Sequence, residues 1–240
     1  MATMAERHDW IERQGRSSFE RILPRLRDEF PQVPEPEWQG FTDPLKQHFQ
    51  PLFRLLYELY SGHYDFFYHL ESIMTSATKM WVERPTDLKG LDAQREAEPG
   101  WYRSNQMVGY IIYADRFAGT IPGIREHISF LKELGVTYLH IMPPFKGPAG
   151  DNDGGYAISS YRELDPRLGT MTDLAELAGD LRNHGISLCL DFVYNHTSDE
   201  HEWAKKALAG DPDYQDYYRM FDDRTIPDQF ERTVQTVFPD

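Results

Sequence analysis

The segment Asp191-Phe192-Val193-Tyr194-Asn195-His196 places a carboxylate and an imidazole directly after the apolar run Ile186-Ser187-Leu188-Cys189-Leu190. A carboxylate accepts hydrogen bonds or holds a cation. A neutral imidazole donates one hydrogen bond and accepts another. Together they put two polar groups at the C-terminal end of a buried strand. A second polar cluster, Asp151-Asn152-Asp153-Gly154-Gly155-Tyr156, lies upstream, followed by Ser159-Ser160-Tyr161. Its paired glycines allow a tight turn and a close backbone approach. Tyr156 offers an aromatic face to a sugar ring and a hydroxyl for hydrogen bonding. Asp153 can pair with an arginine or accept sugar hydroxyls. Alone, the upstream cluster is an ordinary glycine turn with an acidic flank. The downstream pair, read alone, is a buried ion pair and a histidine satisfied by backbone.

The elements that position these groups follow from apolar spacing. Residues 108–113, 136–142 and 186–193 read as three short apolar strands. Ile124, Ile128, Leu131 and Leu134 give a helical face that stops at Gly135. Leu174, Leu177, Ala178 and Leu181 give another that stops at Gly185. Thr170 and Asp173 have the spacing of a capping box. Strands alternating with helices predict a parallel sheet covered by helices. A dinucleotide-binding sheet would alternate likewise, but no Gly-x-Gly-x-x-Gly follows the first strand. The other fold with this alternation is a (β/α)₈ barrel, whose chemistry gathers at the C-terminal strand ends, and the choice of the barrel rests mainly on the family resemblance of the third-strand signature.

The first hundred residues have a different texture. Phe19, Ile22, Leu23, Leu26 and Phe30 form one helical face, and Pro31, Pro34 and Pro36 break it. Leu45, Phe49, Leu52, Leu56, Leu59 and Tyr60 form a second. Phe66, Phe67, Leu70, Ile73 and Met74 form a third. The aromatic stripe Phe53, Tyr57, Tyr60, Tyr64 and Tyr68 is expected to be helix-packing core. Residues 89–100 are polar and read as a connection.

Composition narrows the function. A net charge of −14 argues against nucleic acid as a partner and against an anionic membrane surface. No run of 18 apolar residues is present, so no membrane span is expected. Residues 1–15 lack the apolar stretch of a signal peptide, and a cytoplasmic location is the default. The single cysteine, Cys189, excludes an intramolecular disulfide and is expected to be buried and inert. The spacing of His196, His201 and Glu202 is not that of a metal-binding helix, so neither a metal nor a cofactor is expected.

Asp-x-Val-x-Asn-His after the third strand, with Asp-Gly-Gly-Tyr after the second, resembles the α-amylase superfamily of glycoside hydrolases and transglycosylases. Residues 138–143 (Tyr-Leu-His-Ile-Met-Pro) and 198–204 (Ser-Asp-Glu-His-Glu-Trp-Ala) look like its amylosucrase branch. So do Gly210-Asp211-Pro212, residues 227–230 (Pro-Asp-Gln-Phe) and Val237-Phe238-Pro239-Asp240. The resemblance implies an α/β chain in three parts. They are a helical N-terminal domain over 1–100, the first three β/α units of an incomplete (β/α)₈ barrel over 101–196, and the start of an inserted B domain over 197–240. It implies that the Asp153 position pairs with a later arginine and that Tyr156 stacks on a glucosyl ring. His196 would touch a glucosyl hydroxyl, and Asp191 would support an arginine beside the nucleophile.

The implied activity is glucosyl transfer from sucrose to an α-1,4-glucan or maltooligosaccharide, releasing fructose. That chemistry needs two carboxyl groups about 5–5.5 Å apart. In the family both follow strands four and five, so no residue of this chain is assigned to either. The chain is expected to be the front part of a larger enzyme, inactive and prone to aggregate when isolated, with unpaired barrel edges and exposed apolar faces. Alternatives are a sucrose hydrolase, an α-glucosidase or trehalose synthase, and a truncated product or glucan-binding module without chemistry.

Overall fold

A computed structural model describes residues 4–149 and 153–233. Asp151, Asn152 and residues 237–240, to which sequence readings were attached, lie outside the described residues. The chain divides into two compact units, Met1–Pro99 and Gly100–Asp240.

The first unit is helical: α1 (Met4–Glu29), α2 (Glu35–Tyr60), α3 (Phe66–Val82) and α4 (Thr86–Ala97). Ile22 and Leu26 on α1, with Phe30 just after it, pack with Phe49 and Phe53 on α2 and with Phe66, Leu70 and Met74 on α3. The ring of Phe53 is wholly buried and meets Phe66 edge-on at 5.9 Å. Helix α2 starts ten residues before the Leu45 stripe. Pro34 is its N-cap and Pro36 lies in the first turn, where a missing N–H costs nothing. The aromatic stripe is core only in part. Phe53 and Tyr57 pack inward, whereas Tyr60, Tyr64 and Tyr68 are exposed. Helix α2 ends at Tyr60, so helical spacing does not carry across the following turn. The stretch expected to be a connection is mostly the later part of α4 instead. This helix buries no residue, so it leaves no apolar stripe in the sequence.

The second unit opens with β1 (Gly109–Ile112), α5 (Ala114–Ala118), α6 (Ile121–Glu126), α7 (Ile128–Glu133) and β2 (Tyr138–Ile141). Next come β3 (Phe145–Lys146), β4 (Ser160–Leu164), α8 (Met171–Asn183) and β5 (Ser187–Leu190). Short helices α9 (Glu202–Leu208), α10 (Pro212–Gln215) and α11 (Thr225–Glu231) follow. The expected helix before Gly135 is two helices, broken at His127. Strands β1, β2 and β5 form a parallel sheet in the order β1-β2-β5, with Ile111 paired to His140 and His140 to Cys189. Among the described residues the sheet is open, with β1 and β5 as its edges. The loop expected between the second strand and α8 carries the antiparallel pair β3–β4. Its apolar residues are too scattered to show a period, yet Phe145, Ile158 and Leu164 are all buried.

Strand alternation sorts the sheet into two faces. Leu139 and Ile141 are completely buried in the cluster that contains Ile124 and Leu131 before β2 and Leu177 and Leu181 on α8. Ile111, of opposite parity, is 65% exposed. The largest exposure thus falls on the side away from the helices, while on the helix side Leu139 and Ile141 are buried and Tyr110, Leu188 and Leu190 are partly buried. Cys189 shares the parity of Ile111 and His140 through the register, and so is only partly buried rather than inside the core.

The capping box forms as spaced. Thr170 Oγ1 accepts from the Asp173 amide, and Asp173 Oδ2 accepts from the Thr170 amide at 2.7 Å. Thr170→Ala is expected to cost about 1 kcal/mol, read as a lowered melting midpoint of the unit that holds α8.

Candidate active site

The site is built where β2 and β5 end. Sheet pairing runs one step past β5: the Asp191 amide donates to the Ile141 carbonyl at 3.0 Å. Leu190 packs toward the helices, so Asp191, one residue on, turns the other way. There it receives a hydrogen bond of 2.8 Å from the Tyr156 hydroxyl. This contact joins the two motif loops across thirty-five residues of chain.

Four further contacts hold the loops. Asp153 Oδ1 accepts from the Ala157 amide at 2.8 Å, which closes the turn through Gly154 and Gly155. Those glycines have φ of 85° and 95°. Behind the turn, the Tyr161 hydroxyl donates to the Val193 carbonyl at 2.6 Å. The Ser198 amide donates to the Ile158 carbonyl at 3.0 Å. The Thr197 and Tyr218 hydroxyls meet at 2.9 Å. His196 is half-buried, with the Asn195 amide nitrogen 3.5 Å from its Nδ1.

Tyr156, Asp191 and the Asp153 turn therefore form one wall, and the Tyr161 contacts pin the His196 segment to the same ribbon. Sequence reasoning assigned no role to Tyr161 or to Tyr113. Tyr161 sits on β4 with its ring half-buried, and a phenol drawn out of water seeks a hydrogen-bond partner. A cavity of about 440 Å³ lies beside this wall, lined by Tyr113, Arg116, Gly154, Gly155 and Arg167 among others. Asp153, Tyr156, Asp191 and His196 are not in its lining. Among the described residues no three His, Cys, Asp or Glu side chains gather as a metal-ligand group, and no helix is long and apolar enough to cross a membrane.

The phenol of Tyr156 is pushed up to about 12. The hydrogen bond to Asp191 is the largest cause, followed by burial and by the Asp191 charge. Since the folded state holds this proton more tightly, the contribution is complete below the ordinary tyrosine value near 10 and is lost as pH rises toward 12. The native protein is therefore expected to lose more stability between pH 10 and 12 than Tyr156→Phe. Urea titrations of both at pH 9 and pH 11.5 measure the difference, and equal losses would contradict it.

A family model described as "Alpha amylase, catalytic domain" matches residues 73–237. The chain belongs to the alpha-amylase family. Its helix-rich α/β architecture with an open parallel sheet is part of an alpha-amylase catalytic domain preceded by helices. An alpha-glucosidase of Culex pipiens is 34% identical over 149 residues, covering 59% of this chain and 25% of that protein. An oligo-1,6-glucosidase of Parageobacillus thermoglucosidasius is 39% identical over 126 residues, covering 49% of this chain and 22% of that protein. The solved structure of an isomaltulose synthase mutant from Erwinia rhapontici NX5 with its natural substrate sucrose is 34% identical. It covers 50% of this chain and 22% of that one, with a TM-score of 0.44. This alpha-amylase family chain spans about a fifth to a quarter of the length of the curated relatives it matches.

Proposed function

We propose that this chain supplies one wall of the donor pocket of a retaining enzyme that cleaves the glucosidic bond of a small α-glucoside. The substrate class is a terminal α-glucosyl unit on a sugar leaving group. The Tyr156–Asp191 hydrogen bond carries this reading, because it makes one surface from two loops that are remote in sequence. In the proposal Tyr156 presents its ring to the glucosyl unit, and Asp153 and His196 take its hydroxyls. Asp191 orients Tyr156 and faces a cationic partner. Water as acceptor gives hydrolysis, and a sugar hydroxyl gives transfer. The bond-breaking carboxyl pair is assigned to no residue here, so the chain's own part is binding and orientation.

Support for the glucosidase form comes from the names of the relatives, an alpha-glucosidase and an oligo-1,6-glucosidase among them. A second form, amylosucrase-type transfer from sucrose to an α-glucan, is favoured by the helical unit of α1–α4 and by the branch-like segments at residues 138–143 and 198–204. The proposal also takes residues 1–100 as a helical domain, 101–196 as barrel and 197–240 as the start of an insertion.

The test is a product assay of the intact protein on maltose, trehalose and sucrose. Glucose from maltose is expected for the first form. Fructose from sucrose together with a lengthening glucan selects the second. No turnover of any α-glucoside would sink both.

A further inference from the structure

Tyr113 ends the same strand layer that presents Asp191. Pairing continues past β1 and β2 as it does past β5, with the Met142 amide donating to the Ile112 carbonyl at 2.9 Å. Ile112 is 5% exposed and belongs to the helix-facing core. Tyr113, the next residue, therefore points to the opposite face, as Asp191 does after Leu190. Its position is stiff. Tyr113 is the N-cap of α5, the following Ala114 is buried, and the Arg116 guanidinium lies over its ring at 5.3 Å.

What Tyr113 touches is the Asp-Gly-Gly-Tyr turn. A methyl group on Gly154 would stand 3.4 Å from the Tyr113 hydroxyl and 3.9 Å from its ring, so the phenol rests against that glycine. From the other side, a methyl on Gly155 would stand only 2.6 Å from the Pro143 carbonyl. The turn is thus clasped between residues that follow β1 and β2.

We propose that Tyr113 is a positioning residue of the donor pocket: it braces the Gly154–Gly155 turn and thereby fixes the Tyr156 ring and the Asp153 carboxylate. This deepens the proposed function and rests on Asp153 and Tyr156 being the sugar-contacting groups. Tyr113 acts through the turn and does not itself touch the sugar.

The test compares the intact protein with Tyr113→Ala and Tyr113→Phe. Hydrogen exchange read by mass spectrometry follows a peptide containing Ala157, whose amide is held by Asp153, and a β2 peptide containing Leu139 as core reference. Calorimetry with maltose and sucrose follows binding. In Tyr113→Ala we expect exchange at Ala157 to quicken roughly tenfold and affinity to fall by a similar factor, with Leu139 unchanged, because only the brace is lost. Tyr113→Phe, which keeps the ring under Arg116, is expected to restore most of both.

Unchanged exchange at Ala157 in Tyr113→Ala would overturn the proposal. Should Leu139 quicken too, the alanine variant has lost its fold and Tyr113→Leu, which keeps apolar bulk but loses the ring under Arg116 and the hydroxyl against Gly154, decides in its place. A measurable rise at Ala157 without change at Leu139 supports the brace, and none overturns it. Should the unmutated protein bind neither sugar, the donor-pocket reading fails by itself. The exchange comparison, which needs no ligand, still decides whether Tyr113 holds the turn.

Discussion

Replacing Asp191 with alanine is expected to lower kcat/KM of the intact protein for an α-glucoside by about 10- to 100-fold. A hydrogen bond to a charged group is worth roughly 1.5–3 kcal/mol, and about 1.4 kcal/mol is a factor of ten. The loss arises because the Tyr156 hydroxyl donates to Asp191 at 2.8 Å, and without an acceptor its ring loses its fixed orientation. Asp191→Asn separates two roles of the carboxylate. Asparagine keeps an acceptor for Tyr156 but removes the negative charge. If orientation is the whole role, Asn restores activity. The donor-pocket proposal has Asp191 also facing a cation, so Asn is expected to stay nearly as impaired as Ala. Wild-type kinetics in Asp191→Asn would remove the charge from the mechanism.

The second large effect is expected at Gly155. Its φ of 95° is open to glycine and costs other residues about 1–3 kcal/mol. Space is also lacking, since an added Cβ would stand 2.6 Å from the Pro143 carbonyl and 3.3 Å from its Cβ. Both neighbours belong to a buried proline at the end of β2 and cannot swing aside as a long side chain would. Gly155→Ala must therefore lift the turn off β2 and draw Tyr156 away from Asp191. A stability loss of about 3 kcal/mol or more is expected in urea, with sugar binding lost at native temperature. Gly154→Ala is the control. Its φ of 85° is strained as well, but its nearest contact is an ordinary 3.4 Å. The two variants together separate backbone strain from steric contact. Equal behaviour would mean that the contact with Pro143 contributes nothing.

The parts legible in the sequence were those with a strong period or a strong local signal. The strands around Ile112, Ile141 and Leu190, the face Leu174-Leu177-Leu181 and the Thr170–Asp173 box all appear at or near the residues that announce them. Helix α4 was illegible because it buries nothing, and the apolar period is a record of burial. The β3–β4 pair was illegible because β3 has only two residues and β4 buries only Leu164 of its five, so alternation does not register. For the site, residue types and motif order singled out Asp153, Tyr156, Asp191 and His196. The partnership of Tyr156 with Asp191 was not written in either motif, since each motif describes its own loop. Tyr113 and Tyr161 carried no signal beyond being aromatic. Their roles come from what stands opposite them, and that is fixed only when the strands pair.

The parity of β5 couples folding to chemistry in an all-or-none manner. Leu190 meets the helices and Asp191 meets Tyr156 because they are neighbours in a strand with a two-residue repeat. Loss of one codon anywhere from Ser187 to Leu190 would exchange these destinations, driving an ionised carboxylate into the apolar layer and removing it from Tyr156. No gradual route leads from one arrangement to the other. A change of length is thus expected to be tolerated in the connections and not between Ser187 and Asp191, where residues can be exchanged but not added or removed.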